Sequence, residues 1–511
     1  MKQAIFTFLF VFLPILASAD TVEIDGIYYN LNEKSKTAEV TWGNNLYSGD
    51  TIIPETISYD GVVYDVTSIG YYAFGGDKDL ISVVIPNSVT SIGNSAFSGC
   101  EGLITIDIPN SVTSIGHEAF DGSAWYNNQP DGLVYGGKVL YKYKGEMPEN
   151  TNVSLKDGTI GISDFAFLQC KGLISIDIPS SVKYIGIEAF GGCSGLTSVT
   201  IPNSVSSIGI RAFYFCSSLS NIEIPNSVTY IGWFAFDGTA WYFNQQDGVI
   251  YAGKFAYGYK GVMPENTNIT LKDGTFGIVD NAFSARSSLT SIYIPNSVTT
   301  IGENVFSYCS GLTSVIIPYS VTSIGSYAFL NCSGLKSVSI PNSVKSISNG
   351  TFMDCRVLTS IDIPNSVTSI GFESFKDCRA LASVIIPNSV TSICESAFGS
   401  CKNLSDVYCY AELPPSTDVS FADIELSQST LHVPAASINL YRNAIEWEDF
   451  GNIVALTDDD PKPTAINSLK EYSPTYPVGI YSIDGKRLQK EQRGLNIIRM
   501  NDGKTIKRIV K

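Results

Sequence analysis

The sequence predicts a mainly β solenoid, a stack of about fifteen coils with a cap at each end and a small β segment after it. Three observations predict it. The phrase Ile108-Pro109-Asn110-Ser111-Val112-Thr113-Ser114-Ile115-Gly116, followed by Ala119-Phe120, returns every 23 residues, at Ile201, Ile317, Ile340, Ile363 and Ile386. Within each unit the apolar residues alternate as they do in a short strand. A cysteine recurs at the same period. A fixed period between 20 and 50 residues marks small units stacked around one long core.

One coil explains its own elements. Leu103, Ile106 and Ile108 give the pattern L-x-x-I-x-I, a strand with alternate side chains inward. Pro109 ends it, because proline has no N–H to donate to a ladder. Asn110-Ser111 is turn chemistry. Val112 and Ile115 point inward again, and Gly116 suits the next corner. Ala119-Phe120 fills the end of the core. A single coil buries too little apolar surface to offset its ordering entropy, so stability is collective.

The units divide the chain. Residues 20–61 carry strand-like alternation without the phrase and form an N-terminal cap. The repeats occupy 62–403. Residues 404–456 form a C-terminal cap, with a strand at Leu431-His432-Val433-Pro434 and a short helix within Ala435 to Phe450. Residues 457–474 read as a polar, proline-containing linker, and 475–511 as a basic, strand-rich segment. Pro109 and Pro179, and again Pro225 and Pro295, stand 70 residues apart, and each interval holds a variant coil and a degenerate one. The variants match each other 116 residues apart, Trp125-Tyr126 against Trp241-Tyr242 and Met147-Pro148 against Met263-Pro264, as after duplication of a five-coil block. Stacked at about 4.8 Å per coil, the whole predicts a body roughly 70 Å long.

The cysteines follow the solenoid, not a disulfide framework. Cys170, Cys193 and Cys216 are 23 apart, as are Cys309, Cys332, Cys355, Cys378 and Cys401, and Cys100 holds the same slot. Rungs about 4.8 Å apart with parallel Cβ vectors suit a buried apolar column better than bridges, which prefer Cα separations of roughly 5.5–6 Å. Cys394 and Cys409 lie off this column.

Formal charge is −16, which argues against nucleic acid as a partner. Residues 1–19 read as a secretory signal peptide: Lys2, an apolar run from Ala4 to Leu16, and Ala17-Ser18-Ala19 before Asp20. No later stretch is apolar enough to cross a membrane, so no transmembrane segment is expected in the mature protein. From Ile480 onward the chain carries nine Lys/Arg against three Asp/Glu.

Chemistry for catalysis is thin, and no enzyme, metal site or cofactor is expected. His117 sits in a variable outward slot and His432 in the cap, neither with a triad around it. Asp107, Asp177, Glu223 and Asp362 share one slot, yet Val84, Thr200, Tyr293, Ile316, Ser339 and Ile385 fill it elsewhere. An ion ladder does not tolerate that variety.

The repeat L-x-x-I-x-I-P-x-S-V-x-x-I-G-x-x-A-F-x-x-C resembles the BspA-like leucine-rich repeats of bacterial surface and secreted proteins, over residues 62–403. The tail from Ile480-Tyr481-Ser482-Ile483-Asp484-Gly485-Lys486-Arg487 to Lys504-Thr505-Ile506-Lys507 is similar to the C-terminal sorting domains of type IX secretion cargo. The resemblance implies an exported or cell-surface adhesin or interaction protein that binds extracellular or cell-surface proteins, with a glycan-binding protein or a structural spacer as alternatives.

Two surfaces are candidates. The variable slot runs outward along the sheet beside a row of serines (Ser175, Ser198, Ser291, Ser314, Ser337, Ser360, Ser383), and reads either as a solvated face or as a binding stripe centred on Tyr293, Ile316 and Ile385. The other is an aromatic zone at Tyr214, Tyr230, Trp233, Phe234, Trp241 and Tyr242, part of which packs the variant coil. Collective stability is testable: Ile340→Asp should expose several neighbouring coils to protease together, and unchanged cleavage there contradicts one cooperative stack.

Overall fold

The computed structural model describes residues 21–463, 477–482, 486–488, 493–500 and 505–510. It is a β solenoid of about 17 turns with a period near 23 residues and little helix. The signal-peptide segment lies outside the described residues, as does most of the stretch expected to be a linker.

Each regular coil contributes two strands to two parallel ladders. The longer strand carries the L-x-x-I-x-I residues, as at Ser198–Thr200 and Ser314–Ile316. The shorter is the Ser-Ile pair before the corner, as at Ser207–Ile208 and Ser323–Ile324. Pairing is in register by one repeat: Ser314 faces Ser337, Val315 faces Val338 and Ile316 faces Ser339. In a two-residue period, register fixes which side chains enter the core. Val315 is accordingly buried and Ile316 outward.

Parallel pairing reaches beyond the span of the clear phrase. Thr37–Thr41 already pairs with Val62–Ile69, and Gly49–Ile52 with Leu80–Val84. At the other end Asp406–Cys409, Thr430–Val433 and Asn452–Ala455 continue the long-strand ladder. Phe421 stacks on Phe398 as a further repeat phenylalanine. Short 3-10 turns and one helical turn, Ile438–Tyr441, bring Tyr441 and Trp447 over the last coil. The described parts of the tail form a four-stranded antiparallel sheet.

Three columns bind coil to coil. The repeat phenylalanines stack ring on ring, with neighbouring centroids 5.0 Å apart at Phe190–Phe213 and 5.3 Å at Phe375–Phe398. Beside them the corner backbone makes three rungs per coil: Ser95 N–H to His117 O, Phe97 N–H to Ala119 O, and Gly99 N–H to Asp121 O, at 2.7–2.9 Å. Each ladder thiol except Cys170, which follows a hairpin, donates to the phenylalanine carbonyl of the previous coil, as Cys193 Sγ does to Phe167 O at 3.1 Å and Cys378 Sγ to Phe352 O at 3.2 Å. Cysteine therefore fills the slot as a small apolar group with a weak donor where a carbonyl would otherwise lack its second partner. The described cysteines are all unbridged, and Cys394 alone of them is exposed.

The corner glycine has a different reason from conformational freedom. A Cβ on Gly116 would lie 2.5 Å from the Asn94 backbone nitrogen and 2.7 Å from the Gly93 carbonyl carbon. It is there for close approach of coils. The left-handed backbone falls two residues later, at Glu118 (φ 53°), Arg211 (φ 53°) and Phe234 (φ 56°), where side chains other than glycine carry it.

The core is divided where the repeat is. Its buried residues form three blocks that meet at two hairpins, Gly132–Gly136 with Val139–Lys144 and Gly248–Ala252 with Phe255–Lys260. Each hairpin replaces a regular corner. The orphaned Phe120 N–H donates to the Tyr141 hydroxyl (3.2 Å), which donates to Asp121 (2.6 Å). Phe236, Tyr257 and Asp237 repeat the device at 2.9 and 2.6 Å. A buried amide that loses its carbonyl needs another acceptor, and this is why a tyrosine enters the core here.

Asp77 occupies the thiol slot of an early coil and is 3 % exposed. Burial pushes its carboxyl up to about 6, against the downward pull of the Tyr47 backbone N–H. A carboxyl raised on folding contributes its full stability below its ordinary value near 4 and loses it as pH climbs through about 6. Asp77→Asn keeps an oxygen for that N–H and removes the charge. It should raise the melting temperature at neutral pH, by a gain of at most about 3 kcal/mol, and the gain should vanish below about pH 4 in pH-dependent melting curves.

Candidate functional site

Strand register lines the variable slot up outward in segments, because the long strands pair in separate groups along the stack. Ile52 faces Val84, which faces Asp107. Thr270 faces Tyr293, and Ile316 faces Ser339. Asp362, Ile385, Tyr408, His432 and Val454 then follow in successive strands. Inward neighbours such as Val315, Ile361 and Val384 are buried because they hold the core. The slot between them is free of that duty, and its chemistry varies. The serine row lies beside it, with Ser314 facing Ser337 and Ser360 facing Ser383.

Of the three residues expected to centre a binding stripe, Ile316 is 42 % exposed, whereas Tyr293 and Ile385 are half-buried. The stripe is more apolar at its N-terminal end. There Ile52, Ile81, Val84 and Ile104 are all exposed, by 42–70 %. Ile104 N–H donates to Ile81 O, so these two sit on adjacent coils. The signal for them was the residue just after the repeat leucine, which is Ile81 and Ile104 in coils where Thr197 and Thr313 stand elsewhere.

The C-terminal end of the stripe is covered. The His432 ring stacks on Tyr408 at 4.3 Å, with its Nε2 3.2 Å from Asp406 and its Nδ1 3.9 Å from Asp460. Tyr410 donates to the Pro461 carbonyl at 3.0 Å, and Asp460 accepts from Thr457 N–H at 2.6 Å. The first residues of the expected linker, Thr457 to Pro461, thus lie against the sheet.

The aromatic zone resolves into two parts. Tyr214, Phe215, Trp233 and Phe234 form a ridge on the corner face, with centroids 4.3 Å apart for Tyr214–Phe215 and 4.8 Å for Trp233–Phe234. Arg211 lies over Tyr214 and Trp233 and pairs with Glu188. Trp241 and Tyr242 pack instead around Phe236 and Tyr257. Tyr230 projects from the short strand. Burial, then the charges of Asp280 and Glu303, push its hydroxyl up to about 12.

The reactive groups are quiet. Burial pushes the thiols of Cys100, Cys309 and Cys401 up to about 12, so they are neutral at ordinary pH. His117 meets Phe165 edge-on at 5.7 Å. Among the described residues no group of three or more His, Cys, Asp or Glu is placed to hold a metal ion, and no helix is long and apolar enough to cross a membrane.

Residues 64–128, 141–245, 242–356 and 322–445 match the model of the BspA type leucine rich repeat region. Among solved structures, a leucine-rich repeat protein from Bacteroides ovatus is 31% identical, with 81% of this chain and 99% of that one covered and a TM-score of 0.31. A leucine rich cell surface protein from Faecalibacterium prausnitzii is 28% identical over 76% of this chain and 94% of that one, with a TM-score of 0.28. The pneumococcal vaccine antigen PcpA is 18% identical over 86% of this chain and 99% of that one, with a TM-score of 0.31. A search of curated proteins finds no match.

Proposed function

The chain belongs to the BspA-type leucine-rich-repeat family, and from that premise we propose that it is an exported, non-catalytic adhesin-like protein whose sheet face binds an extracellular or cell-surface protein. The family points to a surface or interaction role, and its solenoids are typically non-catalytic. The observation that carries the reading is the outward slot itself. Its neighbours are fixed by the core, yet it presents exposed Ile52, Val84 and Ile316 on a flat polar face, with Ile81 and Ile104 beside it. Isolated apolar residues on a surface are ordinary, but an aligned group on one sheet is a docking feature. A long repetitive face also suits a macromolecule better than a small molecule.

Binding to an immobilised panel of extracellular-matrix and cell-surface proteins tests the reading. Tyr293→Ala with Ile316→Ser, or Ile81→Ser with Ile104→Ser, should weaken binding at least tenfold without changing the melting temperature. Unchanged affinity in both double variants overturns the stripe.

Export by the N-terminal segment and sorting by residues 475–511 are part of the same proposal. They rest on the signal-like start and on the basic tail, whose described strands pair as a small antiparallel sheet. Fractionating producing cells that express the chain with and without the tail should show surface display only with it. Display that survives tail deletion removes the sorting role.

A further inference from the structure

Away from the stripe, the two hairpins leave a defect in the corner ladder. A regular coil makes three corner rungs to the next. At the first hairpin only the middle rung is rebuilt: Phe120 N–H reaches the Tyr141 hydroxyl, and Tyr143 N–H reaches Ala166 O at 2.7 Å. Neither outer rung is replaced. Among the described residues nothing accepts from the N–H groups of Glu118 and Gly122, and nothing donates to the carbonyls of Asp164 and Leu168. These are the groups that pair across every regular step, as Tyr72 does with Asn94 and Gly76 with Ser98. The missing corner leaves a notch of about 270 Å³ lined by Glu118, Lys142, Tyr143, Asp164, Phe165 and Leu168.

The walls have opposite backbone polarity, with donors on the Glu118 side and acceptors on the Asp164 side. Side chains add carboxylates on both walls. Lys142, its ammonium held by Asp121 at 2.7 Å, also lines the notch. Asp164 uses one carboxylate oxygen to cap Ile187 N–H at 2.6 Å, which fixes its position. Half-buried Phe165, braced edge-on by His117, gives the rim an aromatic surface. We propose that this notch is a carbohydrate subsite that takes one sugar ring. A hydroxyl both donates and accepts, so neighbouring hydroxyls of one ring satisfy the two walls together, and the apolar face of the ring lies against Phe165. A peptide would have to offer a carbonyl and an amide at one fixed spacing, and it would find carboxylates with which its carbonyls cannot bond. The second hairpin breaks the ladder the same way, leaving Phe234 N–H and Gly238 N–H without acceptors. It has Phe234 and Gly258 in place of Glu118 and Lys142, so the polar set is particular to the first notch.

The full mature chain is titrated with methyl glycosides of glucose, galactose, mannose, fucose and N-acetylglucosamine, read by saturation-transfer NMR. At least one should receive transfer. Leu168→Trp, which fills the notch from an exposed position, should abolish it, and Glu118→Gln should weaken binding about tenfold. Both variants should melt as the parent does. Transfer to none of the sugars, or transfer that persists in Leu168→Trp, overturns the subsite. If short glycine peptides bind and Leu168→Trp blocks them while no sugar binds, the ligand class is wrong. None of these outcomes bears on protein binding by the stripe.

Discussion

Everything in this molecule depends on one coil satisfying the next. The corner backbone of each coil ends in N–H groups that point along the stack and find carbonyls only 22 residues later, and the phenylalanine rings close the same gap with apolar contact. A coil alone leaves these groups open, so the unit of stability is a pair of neighbours. The thiol column belongs to the same constraint. Its donor reaches a carbonyl one coil back. Serines after Pro-Asn do likewise on the opposite turn, as Ser204 Oγ does with Val182 O.

The hairpins show what happens when that satisfaction is interrupted. A tyrosine hydroxyl, fixed by an aspartate, stands in for one missing carbonyl in both copies of the duplicated block. It can serve one donor, and a corner has three. The result is a body whose core falls into three blocks, joined where the backbone is least completely paired. The caps solve the same problem differently. Antiparallel strands Thr21–Ile24 and Ile27–Asn32 close one end, while Tyr441 and Trp447 cover the other.

Much of this was legible from period alone, because a periodic sequence in a stack makes each position a column. The strand alternation of Ile106 and Ile108, the proline stop, the buried phenylalanine and the unbridged cysteines all follow from superposing coils. What the period hid were the features that break it. Gly49–Ile52 and Thr430–Val433 belong to the ladder through backbone pairing, though their side chains have drifted from the phrase. Corner chirality was misplaced, since Gly116 is required by contact with the previous coil while Glu118 carries the positive φ. The exposed pair Ile81 and Ile104 does not show in the alternation, because it stands outside the slot between the two inward residues. The slot beside the repeat leucine is equally outward. Tyr230, Trp233 and Phe234 are near in sequence, yet Tyr230 belongs to the short-strand face and the other two to the corner ridge.

The same constraint explains where specificity can reside. Positions whose side chains or amides bind the next coil are not free to change without loss of the stack. Two kinds of place escape it. One is the outward slot, whose side chain points away from the core and is not needed to fill it. A protein can then carry Asp362, Ile385, Tyr408 and His432 in successive strands at no cost to pairing. The other is the notch, where pairing itself is incomplete and the backbone becomes part of the recognition chemistry. The first offers breadth through many weak, laterally repeated contacts. The second offers a small set of oriented donors and acceptors. A solenoid built by near-perfect repetition thus gains distinct local chemistry either by leaving a position out of the repeat's work or by omitting part of the repeat.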